Sequence, residues 1–93
     1  MLNPTHPVTA PLTVETAMRR AYAHWRAGQA AQTELLCLRI LRVSPQQPGA
    51  MHLLGIMAHA YGFLDRAVGY LEAATRQPQA PAVFHSNLAE MYR

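Results

Sequence analysis

Two histidines open the search for chemistry. His52 and His59 stand seven residues apart, which places them nearly in line along one helix. Two imidazoles can begin a metal site, but zinc needs three or four ligands. No cysteine or carboxylate pair stands beside them at ligand spacing, so we expect no metal and no cofactor. They read instead as polar groove side chains that could make binding pH-sensitive, since an unperturbed histidine titrates near ~6.5. His6, His24 and His85 have no partner pattern. The five acids (Glu15, Glu34, Asp65, Glu72, Glu90) form no close pair suited to acid–base work. Cys37 is the only cysteine, so an intrachain disulfide is excluded. It falls on an apolar helix stripe, where a free thiol packs as a small hydrophobe rather than acting as a nucleophile. No glycine-rich phosphate loop is present. We expect no catalytic residues.

The bulk numbers narrow the class further. The 93 residues make one domain, and 51% hydrophobic with 14% charged is too apolar for a disordered chain. The formal net charge of +3 comes from eight arginines scattered along the chain. A nucleic-acid footprint would cluster on one face, so we expect no nucleic-acid partner. No segment approaches the ~20 apolar residues needed to span a bilayer. The first dozen residues lack the basic and apolar regions of a secretory signal. The expectation is a soluble, cytoplasmic protein with no membrane partner.

The elements that must position these side chains are helices. Residues 1–12, MLNPTHPVTAPL, carry prolines at positions 4, 7 and 11 and read as a flexible or extended arm. Its Leu2, Val8 and Leu12 could tuck against the first helix. Thr13 is a candidate N-cap for a helix over 14–27, with Glu15 in the first turn. Gly28 ends that helix. A second helix over 30–43 carries a stripe through Leu36, Ile40 and Val43, and Ser44-Pro45 stops it. Pro48 suits the first turn of a third helix over 48–61, where its missing N–H costs nothing. Leu53, Leu54, Ile56 and Met57 make that helix broadly apolar. Gly62 makes the next turn, a fourth helix over 64–77 points Ala67, Leu71 and Ala74 inward, and a fifth covers 82–92.

The chain matches itself after a shift of 34 residues. Gly28 meets Gly62, Thr33 meets Ala67, Cys37 meets Leu71 and Ile40 meets Ala74. Ala21 meets Gly55 and then Ala89. Arg20 meets Leu54 and then Leu88. Such a period is the signature of a helical-repeat solenoid, in which each unit buries its apolar face on the next.

The pattern resembles the tetratricopeptide repeat (TPR) family. The first-helix signature of a bulky residue, Leu, a small residue and Tyr corresponds to Met51, Leu54, Gly55 and Ala58, then to His85, Leu88, Ala89 and Tyr92. In the first repeat the same places hold Ala17, Arg20, Ala21 and His24. The second-helix signature corresponds to Gly62, Ala67, Leu71, Ala74 and Pro78, and to Gly28, Thr33, Cys37, Ile40 and Pro45. The resemblance implies an all-α fold, a TPR α-solenoid of two and a half helix–turn–helix repeats in a right-handed superhelix. Repeat 1 is 14–47, repeat 2 is 48–81 and a half repeat is 82–93, within a domain over 13–93. In this family the small residues allow close helix packing.

The resemblance also implies a function. First helices of the family line a concave groove, so the register places Met18, His52 and Ser86 in one row. Tyr22, Ile56 and Glu90 form a second row, and Trp25, His59 and Arg93 a third. Asn87 adjoins them. These are the expected peptide-binding residues of a non-catalytic scaffold whose partner is a protein or peptide, with Tyr22 and Trp25 as anchors. Trp25 packing as core beneath the N-terminal arm is the competing expectation. Two other functions are weighed. MHLLGIMAHAYG and FHSNLAEMYR resemble repeats of bacterial proteins that join TPR arms to an O-linked N-acetylglucosamine transferase-type domain, which would make the chain a substrate-presenting arm. Those arms carry one asparagine per repeat, and here only Asn87 matches, with Arg19 and Leu53 at the equivalent places. Alternatively, Phe84, Leu88, Met91 and Tyr92 of the last helix form an open face for self-assembly, including a homodimer. The carboxylate clamp of chaperone-binding TPR domains is rejected, because Met18, Tyr22, Leu53 and Val83 stand at its places and only Asn87 fits.

Overall fold

The computed structural model describes residues 13–93. The expectations for the proline-rich arm lie outside them. Five helices follow one another: α1 Val14–Arg26, α2 Ala30–Val43, α3 Pro48–Ala60, α4 Leu64–Thr75 and α5 Ala82–Met91. There are no strands among the described residues, and the fold is all-α.

Local chemistry explains each start and stop. Thr13 caps α1: its Oγ1 accepts from the Thr16 amide at 3.1 Å. Pro48 begins α3, and the Gln47 side chain accepts from the Gly49 amide behind it. Gly28 and Gly62 adopt φ of 78° and 83°. Each closes a paired hydrogen-bond motif that satisfies the last carbonyls of its helix. Gly28 N donates to Trp25 O and Gln29 N to His24 O, and one repeat later Gly62 N donates to His59 O and Phe63 N to Ala58 O. The turns therefore repeat at the same register as the helix starts, Val14, Pro48 and Ala82.

Helices pack on their sequence neighbours, α1 with α2, α2 with α3, α3 with α4 and α4 with α5, and α1 also touches α3. Positions one period apart are buried alike: Thr33 and Ala67, Cys37 and Leu71, and Ile40 and Ala74. Gly55 shows why a small residue is required there. A Cβ at Gly55 would lie 2.8 Å from Leu71 Cγ and 3.3 Å from the Ala67 carbonyl. The inward stripe of α2 runs through Thr33, Cys37 and Ile40. Val43 departs from the expected stripe and is 77% exposed. The 100° step of the helix rotates it about 60° away from Ile40, past the edge of the packed face.

Candidate functional site

The expected groove residues divide into three groups. Tyr22, His52 and Asn87 form a hydrogen-bonded string across three helices. Tyr22 on α1 lies 3.3 Å from His52 Nδ1 on α3, and Asn87 Nδ2 on α5 lies 2.9 Å from His52 Nε2. An amide nitrogen only donates, so Nε2 is the accepting nitrogen. The ring proton then sits on Nδ1 and is donated to the Tyr22 hydroxyl oxygen. Only the neutral imidazole can make both bonds.

Phe84 completes this arrangement. Its ring stacks on His52 with centroids 3.8 Å apart and planes 9° apart. His52 is left only 4% exposed. Burial pushes its pKa down to about 4. The same burial raises the Tyr22 hydroxyl above its ordinary value, with a smaller contribution from Cys37. His52 is therefore a buried tie between helices, and the expectation of a solvated groove imidazole titrating near neutrality is corrected for it. His59, two turns further along α3, is exposed. The two histidines differ because α5 covers the first with Phe84 and Asn87.

Met18 is a second correction. It is buried in the core, and a Cβ at Gly49 would come 2.9 Å from Met18 Cε, so it fills space beneath the start of α3. It belongs to packing and not to a groove surface. Phe84 is the third: at 6% exposed it belongs to the His52 stack and not to an open end. Leu88 and Met91 are half-buried. Tyr92 is 59% exposed, and its hydroxyl donates to the Glu72 carboxylate, which holds the phenol above its ordinary pKa.

A face remains for contact. Tyr22, Trp25, Ile56 and Asn87 are half-buried, while His59, Ser86 and Glu90 are exposed. Trp25 and Tyr22 pack against the core with part of each ring left outside it. Glu90 pairs with Arg93 at 3.5 Å in an exposed ion pair one turn apart. Such a pair contributes little to stability and stays available to a partner.

The string escaped the 34-residue register for a geometric reason. Tyr22 to His52 is a step of 30 and His52 to Asn87 a step of 35. Side chains lean toward the N-terminus of their helix, so contacting residues need not share a repeat position. The buried polar residue on an otherwise apolar α3 was the available signal.

Cys37 is fully buried and its thiol is pushed up to about 11, first by burial and then by Glu34. That thiol is a poor nucleophile at neutral pH. Among the described residues, no three His, Cys, Asp or Glu side chains are grouped to hold a metal ion, and no helix is long and apolar enough to cross a membrane. Comparisons with protein-family models, curated proteins and solved structures found no match to this chain.

Proposed function

We propose that the chain is a TPR-type α-solenoid that binds a peptide or protein segment on the face shared by α1, α3 and α5, and that it is non-catalytic in itself. The observation that carries this reading is the Tyr22–His52–Asn87 string. It ties the first helix of each unit into one surface, so a ligand meets side chains that are already ordered, which lowers the entropy cost of binding. Trp25, Tyr22 and Ile56 supply apolar contact, His59, Ser86, Asn87 and Glu90 supply polar contact, and the anchors are of the types enriched at binding hot spots. The matching buried positions of the two hairpins and their matching glycine turns support the repeat reading of the fold.

The test is selection of peptides from a random display library against the full chain, followed by mapping of the bound peptide by amide chemical shifts. Shifts should cluster on α1, α3 and α5, and Ile56→Asp should weaken binding at least ~10-fold while leaving the helical spectrum intact. Selected peptides that shift only α2 and α4, or an unchanged affinity in Ile56→Asp, would reject the reading. The glycosyltransferase-arm alternative loses weight at Asn87, whose amide nitrogen is engaged by His52. Self-assembly through α5 would have to use Val83, Leu88, Met91 and Tyr92 without Phe84.

A further inference from the structure

The turns that close α1 and α3 share one backbone and differ in side chains. The first reads Ala27-Gly28-Gln29-Ala30, and 34 residues later the second reads Tyr61-Gly62-Phe63-Leu64. Both glycines have positive φ and both turns make the same pair of amide hydrogen bonds, so this backbone needs no aromatic residue. Tyr61, Phe63 and Leu64 are each more than half exposed and give little of their apolar area to the core. Folding therefore does not account for the two rings. Both line a pocket of about 200 Å³ between α2, α3 and α4. Leu54, Met57 and Ala58 form its apolar side, Tyr70 adds a third ring, and Glu34 and Arg66 line it with opposite charges. Among the described residues neither charge is in an ion pair. The Arg66 guanidinium carbon lies instead 5.2 Å from the centre of the Phe63 ring, a cation–π contact.

We propose that this pocket takes one tryptophan or tyrosine side chain of a protein partner. Size favours a single side chain, because sites for whole small molecules begin at about 300 Å³. Charge favours a neutral one. A cation entering the pocket is repelled by Arg66 and an anion by Glu34, whereas a neutral group meets neither penalty. The rings favour an aromatic body, which can pack in offset or edge-on contact with Tyr61, Phe63 and Tyr70. Met57 brings a thioether that contacts aromatic rings favourably, and Arg66, already seated on one ring, can cover a second. Glu34 selects the tip. Its carboxylate only accepts, so it is matched by the indole N–H of tryptophan or the hydroxyl of tyrosine and left without a partner by phenylalanine. No residue of this pocket belongs to the face shared by α1, α3 and α5, so the two sites stand or fall separately.

The experiment titrates the N-acetyl amides of tryptophan, tyrosine, phenylalanine and arginine into the full chain and follows backbone amide chemical shifts. The tryptophan and tyrosine probes should shift Ala58, Phe63 and Tyr70 and bind at least ~5-fold tighter than the phenylalanine probe, a preference that Glu34→Ala should remove. Tyr61→Ala and Phe63→Gln place in the second turn the residues that the first turn already carries, so the helical spectrum should stay intact. Each should weaken the tryptophan probe about 10-fold. Ile56→Asp, on the other face, should leave the probe affinity unchanged. An arginine probe that binds more tightly than tryptophan overturns the proposal, as does an unchanged affinity in Phe63→Gln. Probe shifts confined to α1 and α5 also overturn it, because the probe then sits on the other face. Shifts of the pocket amides on raising the protein concentration without any probe overturn it in favour of a second copy as the occupant.

Discussion

His52 makes two hydrogen bonds with one ring, and protonation removes its ability to accept from Asn87. Its pKa of about 4 in the fold lies below the ordinary 6.5, so the unfolded chain takes up a proton first as pH falls. The contribution to stability is therefore fully present above pH 6.5, declines between 6.5 and 4, and is exhausted below 4. The depression corresponds to up to about 3 kcal/mol. Denaturant unfolding of the wild-type chain and of His52→Phe, compared between pH 7 and pH 4.5, tests this. The wild type should lose about 2–3 kcal/mol more than the variant over that range. An equal pH dependence in both would show that His52 is not the titrating tie. At pH 7 the variant should itself be less stable by about 1–2 kcal/mol, because the Tyr22 hydroxyl and the Asn87 amide each lose a partner in half-buried positions.

Helix boundaries are the scale at which the sequence was most legible. Pro48, Thr13 and the two turn glycines act through backbone geometry alone, and backbone geometry is local. Three glycines separate the local terms from the tertiary ones. At Gly28 no atom lies within 4 Å of a built Cβ, yet φ is 78°, so Gly28→Ala should cost about 1–2 kcal/mol through strain. At Gly69 there is also nothing within 4 Å, and the residue is helical, so Gly69→Ala should stabilise the chain by up to about 1 kcal/mol. At Gly55 the same helical gain is outweighed by the close approach of Leu71 and Ala67, and Gly55→Ala should be destabilising. Thermal unfolding of the three variants reads all three signs, and a stabilised Gly55→Ala would mean that α4 can retreat.

The five helices do not share burial equally. α3 contributes seven buried residues and lies between α2, α4 and, through His52, α5. α5 contributes Phe84 alone. Local opening should follow this difference, since protection tracks buried contacts. Hydrogen exchange should be slowest in α3 and α4 and fastest in α5, and His52→Phe should accelerate α5 more than α2. Uniform exchange across all helices would instead indicate a single cooperative unit.

Helix number and turn positions were determined by the sequence alone, because caps, glycine turns and the helical period act within a few residues of themselves. The inward positions Cys37, Ile40, Ala67, Leu71 and Ala74 were likewise legible from periodicity, whereas Val43 on the same expected stripe is exposed. Only the tertiary structure decided which side chains of the shared face stay in contact with solvent. Met18 and Phe84 were read as surface and are buried, and His52 was read as a solvated imidazole and is a tie. The reason is that a repeat register fixes which helix face is presented but not how far the next helix leans across it. That offset depends on the packing of α5 against α3 and α4, and it determines which residue each side chain meets.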